Sequence, residues 1–185
     1  MLQSRSQMQG LGGVLAPVDH VVGILARLAL LLSAFIMLGM IGLITIEVVL
    51  RSLFSQSLLI VDEFVGYMLA AFAFLGLGYA ARTQSLLRID TFFTMMSPKT
   101  QIVAQILFDI ASLVYVSILT GYVIQLVKLS YSRGIISVSI FPVPTWIPQS
   151  SMAIGGTILV LVLLMEVLRD IAMLRRTDGG TDNVD

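Results

Sequence analysis

The sequence contains no cysteine and only one histidine, His20. The lack of cysteine excludes disulfide bonds, thiolate nucleophiles and thiolate metal sites. A single histidine cannot supply a pair of axial haem ligands or a histidine pair on a metal ion. We therefore expect no catalytic residues, no cofactor and no metal site, which argues against a membrane-bound enzyme or a cytochrome subunit.

Charge is also scarce, because charged residues make up 12% of the chain, whereas roughly 25% is usual in soluble domains. The formal net charge is zero and there is no sustained basic run, so we expect no binding to nucleic acid. Hydrophobic residues make up 57% of the sequence, and the mean hydropathy is +0.98. These values indicate a membrane protein in contact with the lipid bilayer.

Four apolar runs predict an all-α membrane protein with transmembrane helices at about 24–50, 64–81, 102–127 and 147–168. Each is long enough to cross a bilayer, which takes roughly 20 residues. Together they define a transmembrane domain over 24–168. Residues 1–23 are expected to be a partly helical cytosolic segment without a removed signal peptide, and 169–185 a disordered cytosolic tail.

The positions of lysine and arginine beside these runs predict the orientation of the chain. One side carries Arg5, Arg27, Arg82, Arg88, Lys99, Arg169, Arg175 and Arg176, and the other carries Arg51, Lys128 and Arg133. Because the side richer in basic residues stays inside the cell, both termini are expected to be cytosolic.

Two connections have patterns of their own. Between the second and third runs, apolar and polar positions alternate with helical spacing, which predicts an amphipathic interfacial helix over about 88–97. Its apolar face includes Phe92 and Phe93, and its polar face includes Arg88 and Asp90. The connection between Lys128 and Trp146 is expected to be extended, because the prolines at 142, 144 and 148 disfavour a regular helix.

The acids and bases near the ends of the first two runs are candidate interface residues. Glu47 and Arg51 are spaced i, i+4, so they form either an ion pair within the helix or a contact with another subunit. Asp62 and Glu63 point about 100° apart on a helix and do not converge as a catalytic pair would. At the start of a helix these acids interact favourably with the helix dipole, or they provide a docking surface.

The second and third runs carry features that suit helix packing. Small residues recur along the second run and would let another helix approach closely. These are Gly66, Ala70, Ala73, Gly76 and Ala80. The third run carries a polar stripe that faces the bundle or a partner and consists of Gln101, Gln105, Asp109, Ser112, Tyr115 and Tyr122. Within it Asp109 is a buried hydrogen-bonded anchor or a proton or ion relay.

A set of short motifs resembles the small membrane subunit of TRAP transporters, the DctQ-like family, over about residues 20–170. The motifs are Glu47 to Arg51, Asp62-Glu63, Phe74 to Gly76, Ala81-Arg82 with Arg88-Ile89-Asp90, Pro144-x-Trp146-x-Pro148 and Gly155-Gly156. Each motif is short and degenerate, and their order and spacing carry the resemblance.

The resemblance implies a tripartite uptake system in a bacterial inner membrane. A periplasmic binding protein would capture an organic acid, and a large permease subunit would carry it inward with sodium by an elevator-type movement. The small subunit would form an obligate complex with the large one and anchor its scaffold. The residues expected at a subunit or membrane interface are Glu47, Arg51, Asp62, Glu63, Gly66, Ala70, Gly76, Arg82, Arg88, Asp90, Phe92, Phe93, Gln105, Asp109, Pro144, Trp146 and Pro148.

An alternative is an autonomous four-helix exporter, resembling the small multidrug resistance family, that uses Asp109 or Glu47 as a proton switch. Those chains are shorter and place their essential glutamate well inside the first helix. Glu47 lies near the end of the first apolar run here, which disfavours this hypothesis.

Overall fold

The computed structural model describes residues 16–54, 61–83, 98–137 and 142–178, and this part of the chain is built from four long helices. These are α1 (Ala16–Phe54), α2 (Val61–Arg82), α3 (Pro98–Ser132) and α4 (Trp146–Asp178). Each contains a stretch long and apolar enough to cross a membrane. The predicted all-helical fold with four candidate spans is confirmed, whereas the predicted interfacial helix at 88–97 lies outside the described residues.

The helices extend beyond the apolar runs that predict them. α1 begins at Ala16 instead of about residue 24, and Pro17 falls in its first turn, where a proline costs no helical hydrogen bond. α4 continues through Asp178, so the prediction of a disordered tail is wrong for 169–178. The sequence has no glycine or proline between Gly156 and Gly179, so nothing in it interrupts the helix when the apolar run ends.

The connection between α3 and α4 begins later in the sequence than predicted. α3 runs through Ser132, four residues past the expected start of the extended segment at Lys128. Pro148 lies in the first turn of α4, where its missing N–H is tolerated, and the predicted helix at about 147–168 includes it. Between the helices, Gly134 has a positive φ of 57°, and an isolated antiparallel bridge pairs Ile136 with Pro144.

The four helices form a layer in the order α1, α2, α4, α3. α1 packs on α2, α2 on α4, and α4 on α3, with a smaller contact between α1 and α4. Within the membrane-spanning windows, 33% of the residues of α4 are buried but only 6% of those of α3. α4 is therefore the central element, and α3 stands at one edge with most of its surface uncovered.

A buried hydrophobic cluster lies where the start of α1 meets the last turns of α2 and the middle of α4. Its members are Val22, Ala26, Ala81, Leu159, Val162, Leu163 and Met165. Alanine at two of these positions, Ala26 and Ala81, keeps the helices close, and the larger residues come mainly from α4. The cluster therefore joins three of the four helices.

Two adjacent glycines place α4 between its neighbours. A Cβ atom at Gly155 would lie 2.5 Å from the carbonyl carbon and oxygen of Phe74 in α2. A Cβ atom at Gly156 would lie 2.7 Å from the hydroxyl of Thr120 in α3. Backbone of α2 and a side chain of α3 therefore approach the backbone of α4 closely from two sides.

Candidate functional sites at the two ends of the helices

One end of the layer carries a cluster of charged residues that connects three helices. Arg82, in the last turn of α2, donates to Oδ2 of Asp19 in α1 over 3.1 Å. Arg169 of α4 pairs with Oδ1 of the same carboxylate and contacts Glu166 over 3.2 Å. We call Asp19, Arg82, Glu166 and Arg169 the three-helix charge cluster.

The geometry of the three-helix charge cluster favours tight association of the helix ends. Oδ2 of Asp19 accepts a hydrogen bond from Arg82, and Oδ1 forms an ion pair with Arg169. A hydrogen bond between charged groups is stronger than a neutral one. The side chains of Asp19, Arg82 and Arg169 are 25%, 22% and 32% exposed. They are partly withdrawn from water, so their attraction is less screened than that of a surface pair.

Gly23 makes room for this arrangement. A Cβ atom at that position would lie 2.8 Å from Nη2 of Arg82, so the guanidinium lies directly over the α1 backbone. Arg82 is predicted from the sequence as an interface residue. Within this chain its side chain already binds α1.

At the opposite end, Glu63 joins α2 to the connection between α3 and α4. Its carboxylate accepts hydrogen bonds from the hydroxyl of Tyr67, one turn further along α2, and from the hydroxyl of Ser137. Asp62 is exposed, whereas Glu63 is half-buried. The predicted acidic pair is thus divided: Asp62 faces outward, and Glu63 holds the connection in place.

The connection between α3 and α4 is held by backbone hydrogen bonds as well. Ser137 N donates to the carbonyl of Val143 over 2.9 Å, and Thr145 N donates to the carbonyl of Ile135 over 3.1 Å. We call residues 133–145 the outer hairpin, although 138–141 lie outside the described residues. The bond between Ser137 and Glu63 and the bridge between Ile136 and Pro144 hold the described ends of the outer hairpin together.

Aromatic packing closes the base of the outer hairpin. Tyr131 at the end of α3 and Trp146 at the start of α4 pack edge to face, with ring centroids 5.6 Å apart. Both Pro144 and Trp146 are half-buried. These two residues are predicted at an interface, and the structure shows that they also support the hairpin from within.

Two polar pairs lie within single helices, and the first of them is predicted from the sequence. Arg51 donates to Glu47 over 3.0 Å, and Glu47 is buried while the arginine side chain is largely exposed. Gln105 donates its side-chain amide to Oδ2 of Asp109 over 2.9 Å. The intrahelical pair of Glu47 and Arg51 is confirmed, and a contact of either pair with another subunit stays a prediction.

The small residues of α2 do not all serve the packing that their spacing predicts. A Cβ atom at Gly66 would meet nothing within 4 Å, and Gly66 is exposed. Ala70 is half-buried, and Gly76 lies near the hydroxyl of Ser33, which itself donates to the carbonyl of Phe72 over 2.9 Å. The buried positions of α2 are instead Val61, Ala71, Leu75, Gly78 and Ala81.

Of the remaining predicted interface residues, Arg88, Asp90, Phe92 and Phe93 lie outside the described residues, and Pro148 lies half-buried in the first turn of α4. Sequence reasoning missed the ion pairs that Asp19 makes with Arg82 and Arg169. Asp19 and Arg82 are 63 residues apart, and local spacing carries no signal for such a pair. The described residues contain no group of three histidine, cysteine, aspartate or glutamate side chains able to hold a metal ion.

A comparison with known protein families identifies the family of this chain. The model of the DctQ component of the tripartite ATP-independent periplasmic transporters matches residues 40–173, well over half of the chain. The chain belongs to the DctQ family. The resemblance inferred from the short motifs is thereby confirmed, and a search of curated proteins gave no match.

The DctQ match includes parts of all four helices and the whole outer hairpin. It starts in the middle of α1, so Asp19 lies before the matched residues, whereas Arg82 and Arg169 lie within them. Membership in a family of transporter components also makes this chain a multi-pass membrane protein that works with partner subunits.

Proposed function

We propose that this DctQ protein is the small membrane subunit of a sodium-coupled TRAP transporter that takes up organic acids. The observation that carries the proposal is the DctQ match over residues 40–173. The chain supplies no binding site for substrate or ion in this hypothesis. Those sites belong to the large permease subunit, with which the chain forms an obligate complex.

The mechanical role we assign to the chain is to hold the stationary part of the large subunit at a fixed depth and tilt. An elevator-type movement needs a scaffold that does not follow the moving domain. A layer of four long helices suits this task, because it offers broad lateral surfaces. The crossing at Gly155 and the three-helix charge cluster oppose sliding of the helices in the layer.

The orientation we propose places both termini in the cytosol of a bacterium, with the chain in its inner membrane. It rests on the excess of lysine and arginine at the end that contains Arg82 and Arg169. The three-helix charge cluster would then face the cytosol, and the outer hairpin would face the periplasm.

The outer hairpin would help to dock the periplasmic binding protein, which associates transiently. Arg133, Ile135 and Ile136 are exposed on it, and Asp62 is exposed beside it. Mixed charge next to exposed apolar groups suits a reversible contact. Glu63 supports this surface from behind by holding Ser137.

No observation favours the autonomous proton-coupled exporter. Glu47 lies in an ion pair with Arg51 near the end of α1, and Asp109 accepts a hydrogen bond from Gln105. The family match is to one component of a multi-component system.

Co-purification tests the proposed complex. The tagged chain, co-expressed with the large permease subunit of the same transporter and extracted in mild detergent, is expected to retain that subunit in a fixed ratio. An unrelated four-helix membrane protein with the same tag serves as the control. Recovery of the chain alone, from membranes that contain folded large subunit, would contradict the proposal.

A further inference from the structure

The edge of the layer formed by α3 presents an exposed stripe of side chains with a regular spacing. Its members are Phe108, Ser112, Tyr115, Leu119, Tyr122 and Leu126, separated alternately by four and three residues. All six are exposed, and Tyr115 and Tyr122 are 67% and 69% exposed. A 4-3 spacing keeps one face of a helix in register with a second helix. We call these residues the α3 seam.

The two tyrosines are poorly suited to contact with lipid. Along the helix axis they lie within about 7 Å of the midpoint of the span Val103–Ser132, inside the roughly 15 Å half-thickness of the hydrocarbon. Tyrosines that anchor a protein in lipid prefer the membrane interface. Neither hydroxyl has a hydrogen-bond partner among the residues that the structure describes. A polar group in this position is stabilised by a partner helix.

The carboxylate of Asp109 lies beside one end of the α3 seam and has one hydrogen-bond donor among the described residues. Asp109 accepts a hydrogen bond from Gln105, and in the described ranges it pairs with no lysine or arginine. A half-buried carboxylate inside a span is stabilised by further donors. A neighbouring helix that carries a hydrogen-bond donor or a basic group would therefore stabilise this surface.

α1, at the other edge of the layer, presents an apolar surface. Its uncovered side chains near mid-span are apolar, as at Phe35 and Leu38. The two hydroxyls in its apolar run are already used, because Ser33 donates to Phe72 of α2 and Thr45 donates to the carbonyl of Ile41 in its own helix. This surface suits acyl chains.

We infer that the α3 seam is the surface on which the large permease subunit seats one of its transmembrane helices, which faces Tyr115 and Tyr122 with polar groups and brings a donor to Asp109. The inference rests on the proposed function and specifies its interface. A second copy of this chain fits less well. Copies inserted in one orientation carry Asp109 at the same depth, so paired seams would bring two carboxylates together.

Site-specific photocrosslinking in the native membrane tests this placement. A benzophenone amino acid replaces Tyr115 or Tyr122 on the seam, and Phe35 or Leu38 on α1 serves as the control at a similar depth. Crosslinks from the seam positions to the large subunit, with none from α1, are expected. The Tyr122→Phe variant should also lower recovery of the complex at least threefold, roughly the effect of losing one interhelical hydrogen bond.

Three outcomes would overturn the inference. Crosslinks to the large subunit from α1 and none from the seam would show that α1 is the contact surface. Crosslinks from the seam to a second copy of this chain would show that the second copy occupies the seam. In both cases the tagged chain still retains the large subunit, so the proposed function stands. Failure of the unmodified chain to retain that subunit would remove the proposed function together with the inference.

Discussion

Gly155 of α4 lies against the backbone of Phe74 in α2, so closely that a Cβ atom at Gly155 would be 2.5 Å from the Phe74 carbonyl oxygen. At this contact the backbones of α4, the central helix of the layer, and α2 lie directly against each other. It also gives a physical reason for the Gly155-Gly156 pair, because the second glycine faces the side-chain hydroxyl of Thr120 in α3.

Replacing Gly155 by alanine is expected to destabilise the protein by about 1–3 kcal/mol, since backbone cannot move away as a flexible side chain would. Gly121→Ala is the matched control, because a Cβ atom there meets nothing within 4 Å. Alanine also favours a helix over glycine, so the control should leave stability unchanged or raise it. Thermal unfolding in detergent measures both. Equal melting temperatures for the two variants would refute the close contact.

The bond between Ser33 and Phe72 predicts a second, smaller effect. Ser33 is 2% exposed and connects α1 to α2, so Ser33→Ala should lower the free energy of unfolding by about 0.5–1.5 kcal/mol. Thr45→Ala removes a hydroxyl that bonds only within α1 and is expected to change much less. An effect of Thr45→Ala as large as that of Ser33→Ala would show that the bond between the helices contributes no more to stability than a bond within one helix.

The three-helix charge cluster predicts coupling between distant residues. Asp19→Asn and Arg169→Gln should each destabilise the protein by about 1–3 kcal/mol, because each leaves a partly buried charge short of a partner. The double variant should cost less than the sum, with a coupling energy above about 0.5 kcal/mol. Arg27→Gln removes an exposed charge on α1 and is the control. Additive losses would mean that the two residues do not interact.

The bond from Ser137 to Glu63 predicts local opening when it is removed. In Glu63→Ala, hydrogen exchange in the outer hairpin should speed up by about tenfold, the effect of losing a bond to a charged group. Asp62→Ala changes the neighbouring exposed acid and should leave exchange unaffected. Mass spectrometry on peptides covering 133–145 reports both variants. If Glu63→Ala leaves the exchange rates unchanged, the hairpin does not depend on this bond.

The middle of each helix could be predicted from the sequence, because hydrocarbon requires long apolar runs. The ends could not, since helices continue past the membrane without an apolar signal. α4 illustrates this, with its apolar run ending near Leu168 and its helix at Asp178.

Local contacts were predictable and distant ones were not. The spacing of Glu47 and Arg51 is sufficient to predict their ion pair. Nothing in the neighbourhood of Asp19 indicates that Arg82 and Arg169 meet it, because that meeting depends on how three helices pack. For the same reason, small residues identified a tightly packed helix in α2, yet the neighbours of Gly66 and Gly76 could be assigned only from the structure.

Transport in proteoliposomes tests the central claim most directly. Vesicles containing the chain alone, the large permease subunit alone, or both would receive the periplasmic binding protein loaded with a labelled organic acid and an inward sodium gradient. We predict uptake only when both membrane subunits are present, and no uptake by the chain alone. Sodium-independent transport by the chain alone, abolished by Asp109→Asn, would contradict the account and favour an autonomous proton-coupled transporter.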